Sequence, residues 1–307
     1  METDTVHVQA DLRGLLKGDV HFAPIFQQLY SSDASIHEIT PLGVVRPRSL
    51  QDVSELLKYC SEREIPVFAR GGGSGLAGQS LGRGIIVDFS RYMRRMYSVR
   101  GERVRVQSGV VLTDLNRELG RHGLLFGPDP ASRSVSTIGS MIAVDASGSH
   151  FPIYGTTGNR LESLQVVLSN GQVVELSQHP WASDDSLGSS ETSLAREIGL
   201  LLQQNSALII KPPWGKVARG CGYRIESVLD GERVDLARLM AGSEGTLGLI
   251  TEATLRLDRL APVRGLLLLF FGRLELAAKA AVDLQKEPLA ACDLMDRRLL
   301  EIARDTE

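Results

Sequence analysis

Five glycines fall within the eight residues Gly71-Gly72-Gly73-Ser74-Gly75-Leu76-Ala77-Gly78, and nothing else in the sequence restricts the fold so much. Glycine admits positive φ and lets main-chain N–H groups approach a ligand without a side chain in the way. Consecutive N–H groups turned into one concavity bind an anion, most often a phosphate. The run follows a strand-like segment, Pro66 to Arg70, and leads through Gln79 to Gly84 into the apolar Ile85-Ile86-Val87 and Asp88. Gly73 to Gly78 satisfies G-x-G-x-x-G, but that spacing signifies a dinucleotide fold only where a helix starts at the loop. The six residues Gln79 to Gly84 are too few for the helix of a parallel crossover. A Walker-type loop is excluded because Gln79 follows Gly78 where Lys-Ser/Thr is needed. A flexible linker is flanked by polar sequence, whereas this loop lies between two apolar strand candidates. The reading left is a strand–loop–strand clamp for the pyrophosphate of a nucleotide-type cofactor.

The 307 residues, 43% hydrophobic and 23% charged, are enough for a sizeable core and about two domains. The formal net charge of −3 gives no ground for a nucleic-acid or anionic-membrane partner. Cys60, Cys221 and Cys292 stand far apart, make no C-x-x-C pair and suit a reducing compartment. The acidic, polar start reads as neither a signal nor a transit peptide. The most apolar run, Gly265 to Gly272, is too short to span a bilayer and reads as a buried strand. A cytoplasmic protein without a transmembrane segment is expected.

The order of elements predicts α+β structure. After a lead-in over residues 1–40, a brief strand at Gly43 to Arg46 is stopped by Pro47. A helix from about Leu50 to Arg63 has Ser49 as its cap and Asp52 three residues on, a weak capping box. Val53, Leu56, Leu57 and Cys60 give it one apolar face. Strands at Pro66 to Arg70 and Ile85 to Phe89 complete a first subdomain, about residues 41–98. A second, about 99–258, opens on the alternating Arg103 to Gln107 and a helix over Thr113 to His122. Two strands then flank Asn170-Gly171, a strong hairpin signal. A helix over Thr192 to Gln204 and a strand over Gly245 to Leu257 follow, and an antiparallel sheet is the expected outcome. Trp181 to Ser190 reads as a surface loop. From 259 the pattern changes to one apolar strand and helices at Leu274 to Gln285 and Asp293 to Arg304, expected to be the opening of a third, truncated unit.

Gly127-Pro128-Asp129-Pro130, Ser136-Thr137-Ile138-Gly139-Ser140, Asp145-Ala146-Ser147-Gly148 and Tyr154-Gly155-Thr156 form a long stretch dense in small and polar residues. Loops of that length inside a compact domain are usually functional. Small residues there would let backbone lie against a planar ligand. A third glycine-rich segment, Gly242-Ser243-Glu244-Gly245-Thr246-Leu247-Gly248, leads into a strand.

Taken together, these segments resemble the FAD-linked oxidases with a PCMH-type (vanillyl-alcohol oxidase-like) FAD-binding domain. Within that family the likeness is to the D-lactate, glycolate and D-2-hydroxyglutarate dehydrogenase branch. Val45-Arg46-Pro47-Arg48-Ser49, the Ala253 to Leu257 strand and Asp293 to Leu300 fit it too. The likeness covers about residues 30–260 and looks most like the flavin part of the large members, which carry a C-terminal iron–sulfur region. It implies FAD as the cofactor, held without a covalent bond, since no histidine stands in the glycine loop. Gly71, Gly72, Gly73, Ser74, Gly75 and Leu76 would hold the pyrophosphate. Pro128, Asp129, Thr137, Gly139, Ser140, Ala143, Ala146 and Gly148 would line the adenosine and isoalloxazine path. Glu244, Gly245 and Ile250 would close it.

The resemblance implies an oxidoreductase that passes hydride from a small D-2-hydroxy acid to FAD, with an iron–sulfur domain or subunit as a possible electron acceptor. Family alternatives are a non-catalytic FAD-binding subunit of a glycolate or lactate oxidase, and a reductase of the kind that makes UDP-N-acetylmuramate. Asp145 stands where Asn is usual and is expected to set a charge near the anionic cofactor. Ser140 stands where a second Gly is usual. The six histidines show no metal spacing. His150 reads more readily as a solvated loop residue than as a base, and Arg219 and Tyr223 as packing residues as readily as flavin contacts. No catalytic residue is assigned. With the cap expected to be cut short, the chain alone is expected to hold flavin without turning over a hydroxy acid.

Overall fold

The computed structural model describes residues 2–182, 189–210 and 222–305. Its first lobe is built on four strands, β1 (Asp19–His21), β2 (Gly43–Arg46), β3 (Val67–Arg70) and β4 (Ile85–Asp88), in the order β1-β2-β4-β3. β1 runs antiparallel to β2, while β2 and β3 both lie parallel to β4. Side chains alternate along a strand, so neighbours in sequence serve opposite faces. Val45, Ile85 and Val87 pack with Val53, Leu56, Leu57 and Cys60, whereas Val44 and Ile86 pack with Tyr30 on the other face. α1 (Glu2–Leu15) and α3 (Leu50–Glu62) cover the first of these faces; α2 (Pro24–Tyr30) covers the second.

The cap of α3 departs from the capping-box expectation. Ser49 Oγ accepts from the N–H of Asp52 at 3.2 Å. The Asp52 carboxylate does not reach back to Ser49. It accepts instead from the N–H groups of Lys17 at 3.0 Å and Arg48 at 2.8 Å. Asp52 thus satisfies one donor just before β1 and one just after β2, which a box closed on Ser49 would have left open.

The second lobe is the antiparallel sheet β5-β12-β7-β8, from β5 (Arg103–Gln107), β7 (Leu161–Val167), β8 (Val173–Leu176) and β12 (Leu249–Arg256). Short pairings surround it: β6 (Leu124–Leu125) with β13 (Asp258–Arg259), and β9 (Gln178–Pro180) with β11 (Arg233–Asp235) and β10 (Leu229–Asp230). Asn170-Gly171 makes the expected turn: Gly171 has φ +82, and Leu168 and Gln172 bond across it at 2.9 Å. Helices α4 (Leu112–Gly120), α5 (Ile138–Ala143), α6 (Phe151–Tyr154), α7 (Ser190–Gln204), α8 (Ser206–Ile210) and α9 (Leu236–Met240) complete the lobe. Its core joins Val104, Val106, Leu164 and Val166 to Leu115, Leu119, Ile138 and Met141. Val167 and Leu249 pack into the first lobe's core, and Ser54 Oγ donates to the Gly171 carbonyl at 2.6 Å, so the lobes share one seam.

Past β13 the chain differs from expectation. Residues 265–271 pair with no strand among the described residues, and Leu266 and Phe270 are 86% and 88% exposed. The expected buried strand is therefore an exposed, extended segment. Burial of so apolar a strand requires neighbours on both sides, and none of the described residues supplies them. Helices α10 (Leu274–Leu284) and α11 (Arg297–Asp305) follow and carry no buried residues.

Candidate cofactor site

The glycine loop leaves β3, passes over the seam between the lobes and returns to the sheet as β4. β3 and β4 are parallel and adjacent, so residues 71–84 make the crossover with no helix. Opposite the loop stands the first turn of α5. Thr137 caps that helix, its Oγ1 accepting from the N–H of Ser140 at 3.4 Å, and Ser140 Oγ donates to the Thr137 carbonyl at 2.8 Å. The two segments touch: a Cβ on Gly71 would overlap Thr137 Oγ1, and one on Gly139 would lie 2.7 Å from the Ser108 Cβ. Glu244, Gly245, Gly248 and Ile250, entering β12, close the third side.

The three segments enclose a cleft of about 1070 Å³, its open mouth included. Among the described residues, no protein acceptor takes the main-chain N–H groups of Gly72, Gly73, Ser74 or Gly75. Two side-chain atoms are buried there without a partner, Ser108 Oγ and Gln79 Oε1. Buried polar groups are nearly always paired, so open donors and acceptors on one cleft are those of a ligand site. FAD, with a pyrophosphate for the loop and polar ring edges for the floor, fits this set.

Most residues expected at the site line this cleft: Gly71, Gly73, Ser74, Gly75, Thr137, Gly139, Ser140, Ala143, Ala146, Glu244, Gly245 and Ile250. Gly72, Leu76, Pro128, Asp129 and Gly148 do not. Gly72 is packed so close to the Val135 carbonyl that a Cβ would overlap it, and Leu76 is 79% exposed. Asp129 faces His150 instead, with Oδ2 2.6 Å from Nδ1 and Oδ1 accepting the His150 N–H at 3.3 Å. Sequence reasoning missed Ser108, Gln79, Ser80, Phe89, Ser132 and Met141, which also line it. Gln79 and Ser80 adjoin the loop and were within reach of it. Ser108 ends β5, and only strand pairing brings it beneath α5.

Asp145 departs from the expectation that its charge would face the cofactor. It is not on the cleft. At φ +48 its carboxylate turns into the lobe, where Oδ1 accepts from the N–H of Gly158 at 2.7 Å and Oδ2 meets Arg224 Nε at 2.9 Å. Tyr223 also stays off the cleft wall, its hydroxyl 2.8 Å from Thr246 Oγ1. Arg219 and Cys221 lie outside the described residues, as do residues 183–188 of the expected surface loop.

Comparison with known proteins agrees with this geometry. Residues 41–177 match the family described as FAD binding domain. D-2-hydroxyglutarate dehydrogenase of Escherichia coli strain K12 is 34% identical over 286 residues, which are 90% of this chain and 28% of that protein. D-lactate dehydrogenase of Archaeoglobus fulgidus is 31% identical over 263 residues, 84% of this chain and 48% of that one. Among solved structures, alkyldihydroxyacetonephosphate synthase superposes with a TM-score of 0.59 at 19% identity, over 85% of this chain and 44% of that one, a likeness of fold alone. Two lobes meeting at a glycine-rich cleft define an FAD-binding domain of the PCMH type. The chain carries that domain, with the family match over residues 41–177, and it spans 28% and 48% of the lengths of the two relatives named. Among the described residues no helix is long and apolar enough to cross a membrane.

Proposed function

We propose that this chain is the flavin-holding part of an enzyme that oxidises a D-2-hydroxy acid, with FAD lying non-covalently in the cleft. The observation that carries the reading is the set of open main-chain N–H groups of Gly73, Ser74 and Gly75, on a cleft that Thr137 and Ser140 at the start of α5 also line. These groups would take the pyrophosphate, as backbone nests take anions. Arg70 on the same wall supplies a positive charge close to it. Ser108 and Gln79 would satisfy polar edges of the cofactor, and the small residues Ala143 and Ala146 leave room for a flat ring. No histidine lines the cleft among the described residues, which favours a non-covalent cofactor. FAD, when bound, supplies the acceptor for the hydride on the α-carbon of the hydroxy acid.

The substrate class rests on the relatives' names, a D-2-hydroxyglutarate dehydrogenase and a D-lactate dehydrogenase. A cytoplasmic location and an iron–sulfur acceptor belong to the same proposal. The domain limits proposed are 41–98 and 99–258 for the two lobes, with 1–40 leading in and 259–307 beginning a cap. The test is anaerobic mixing of the protein carrying this chain, loaded with FAD, with D-2-hydroxyglutarate, D-lactate and their L-enantiomers. Bleaching of the flavin band by a D-acid, and not by its enantiomer, is expected. No bleaching by either D-acid would reject the substrate class and leave the flavin site standing.

A further inference from the structure

The start of the segment that joins α2 to β2, residues 31–37, lies outside residues 41–177 and runs against the back of the glycine loop. The N–H of Ala34 donates to the Gly73 carbonyl at 3.0 Å. Ser80 Oγ, beyond the far end of the loop, donates to Asp33 Oδ2 at 3.0 Å. The other Asp33 oxygen accepts from the N–H of Ser35 at 2.8 Å and so fixes the turn that presents Ala34. Arg70, at the loop's near end, donates through Nη2 to the Ser32 carbonyl at 2.8 Å, its Cζ 5.0 Å from the centre of the Tyr30 ring. At the loop's last glycine, Gly78 sits so close to His37 that a Cβ would lie 3.1 Å from the ring.

A loop this rich in glycine loses much conformational entropy on being fixed. Affinity for a ligand rises when that ordering is done beforehand. Regular pairing cannot do it here, because the loop has no helix and runs between the end of β3 and the start of β4, outside the ladder. Arg70 before the loop, Gly73 within it and Ser80 after it are each bonded to one segment. We infer that residues 30–37 form a strap that holds the glycine loop in its pyrophosphate-accepting shape, with Asp33 as the positioning residue. The inference rests on FAD occupying the cleft. Burial pushes the Asp33 carboxyl up, but hydrogen bonds from Ser35 and Ser80 and the charge of Arg70 outweigh it and hold it below its ordinary value. The group is thus ionised at neutral pH and able to accept both bonds.

The test compares FAD affinity with the stability of the FAD-free protein. Asp33→Ala is expected to weaken FAD binding about tenfold, the usual effect of losing a hydrogen bond to a charged group. The midpoint of thermal unfolding of FAD-free protein should stay close to wild type. Ser80→Ala should have a smaller effect in the same direction. The double variant should bind no more weakly than Asp33→Ala, because both changes remove one contact. Asp33→Asn, which keeps an acceptor for Ser35, should recover most of the affinity. Wild-type affinity in both Asp33→Ala and Ser80→Ala would overturn the strap, as would additive losses in the double variant. Wild-type protein that takes up no FAD would overturn the cofactor reading itself, a different result from either.

Discussion

Gly73 has φ +65, and a Cβ there would lie 2.7 Å from the Arg70 guanidinium. Gly73→Val meets both obstacles, since a β-branched residue pays heavily for a left-handed conformation. Loss of measurable FAD binding with retained far-UV circular dichroism is expected; unchanged affinity would show that the loop does not hold the cofactor. Asp145 has a different environment from the one its position in the motif suggests. Its side chain is buried and held by Arg224, so Arg224→Met leaves a buried carboxylate with only the Gly158 N–H and no counter-charge. A loss of about 2 kcal/mol in denaturant unfolding is expected, reduced from the fully buried case by the partial exposure of Arg224. Cys60 offers a chemical check on α3. Burial pushes its thiol up to about 12, so it stays protonated and unreactive at pH 8, while Cys292 is exposed. Iodoacetamide followed by peptide mapping should label Cys292 and spare Cys60 until the protein unfolds.

At the scale of elements, the helix face of Val53, Leu56, Leu57 and Cys60 was legible because a 3.6-residue period marks one buried side. Leu56 is fully buried, and Leu56→Ala should cost about 3 kcal/mol in the same unfolding assay. The hairpin at Asn170-Gly171 was legible for an equally local reason. The bond from Lys17 to Asp52 and the pairing of Asp145 were not, because Lys17 and Arg224 reach them only after distant segments meet. The glycine loop identified itself, whereas Ser108 required the β5–β12 pairing to come into view. Residues 265–271 show the opposite error: composition alone suggested burial, and no strand among the described residues covers them. Leu266→Asp with Phe270→Asp should therefore change the unfolding midpoint little, as exposed substitutions do, while reducing self-association at high concentration. A drop of several degrees would show that this segment is packed after all.

For the whole molecule, the decisive feature is that neither lobe holds the cofactor site alone. The glycine loop belongs to the first sheet, while α5 and the entrance to β12 belong to the second. A ligand gripping both should stabilise them as one unit, by about 2.7 kcal/mol at a free concentration one hundred times its dissociation constant. The most direct measurement is a titration of FAD-free protein with FAD, followed by acid precipitation of the saturated complex. Saturation at one FAD per chain is expected, with the unfolding midpoint rising on binding and all the flavin recovered in the supernatant. Flavin retained in the pellet would contradict non-covalent binding, and protein that neither takes up FAD nor gains stability from it would contradict the assignment of the cleft.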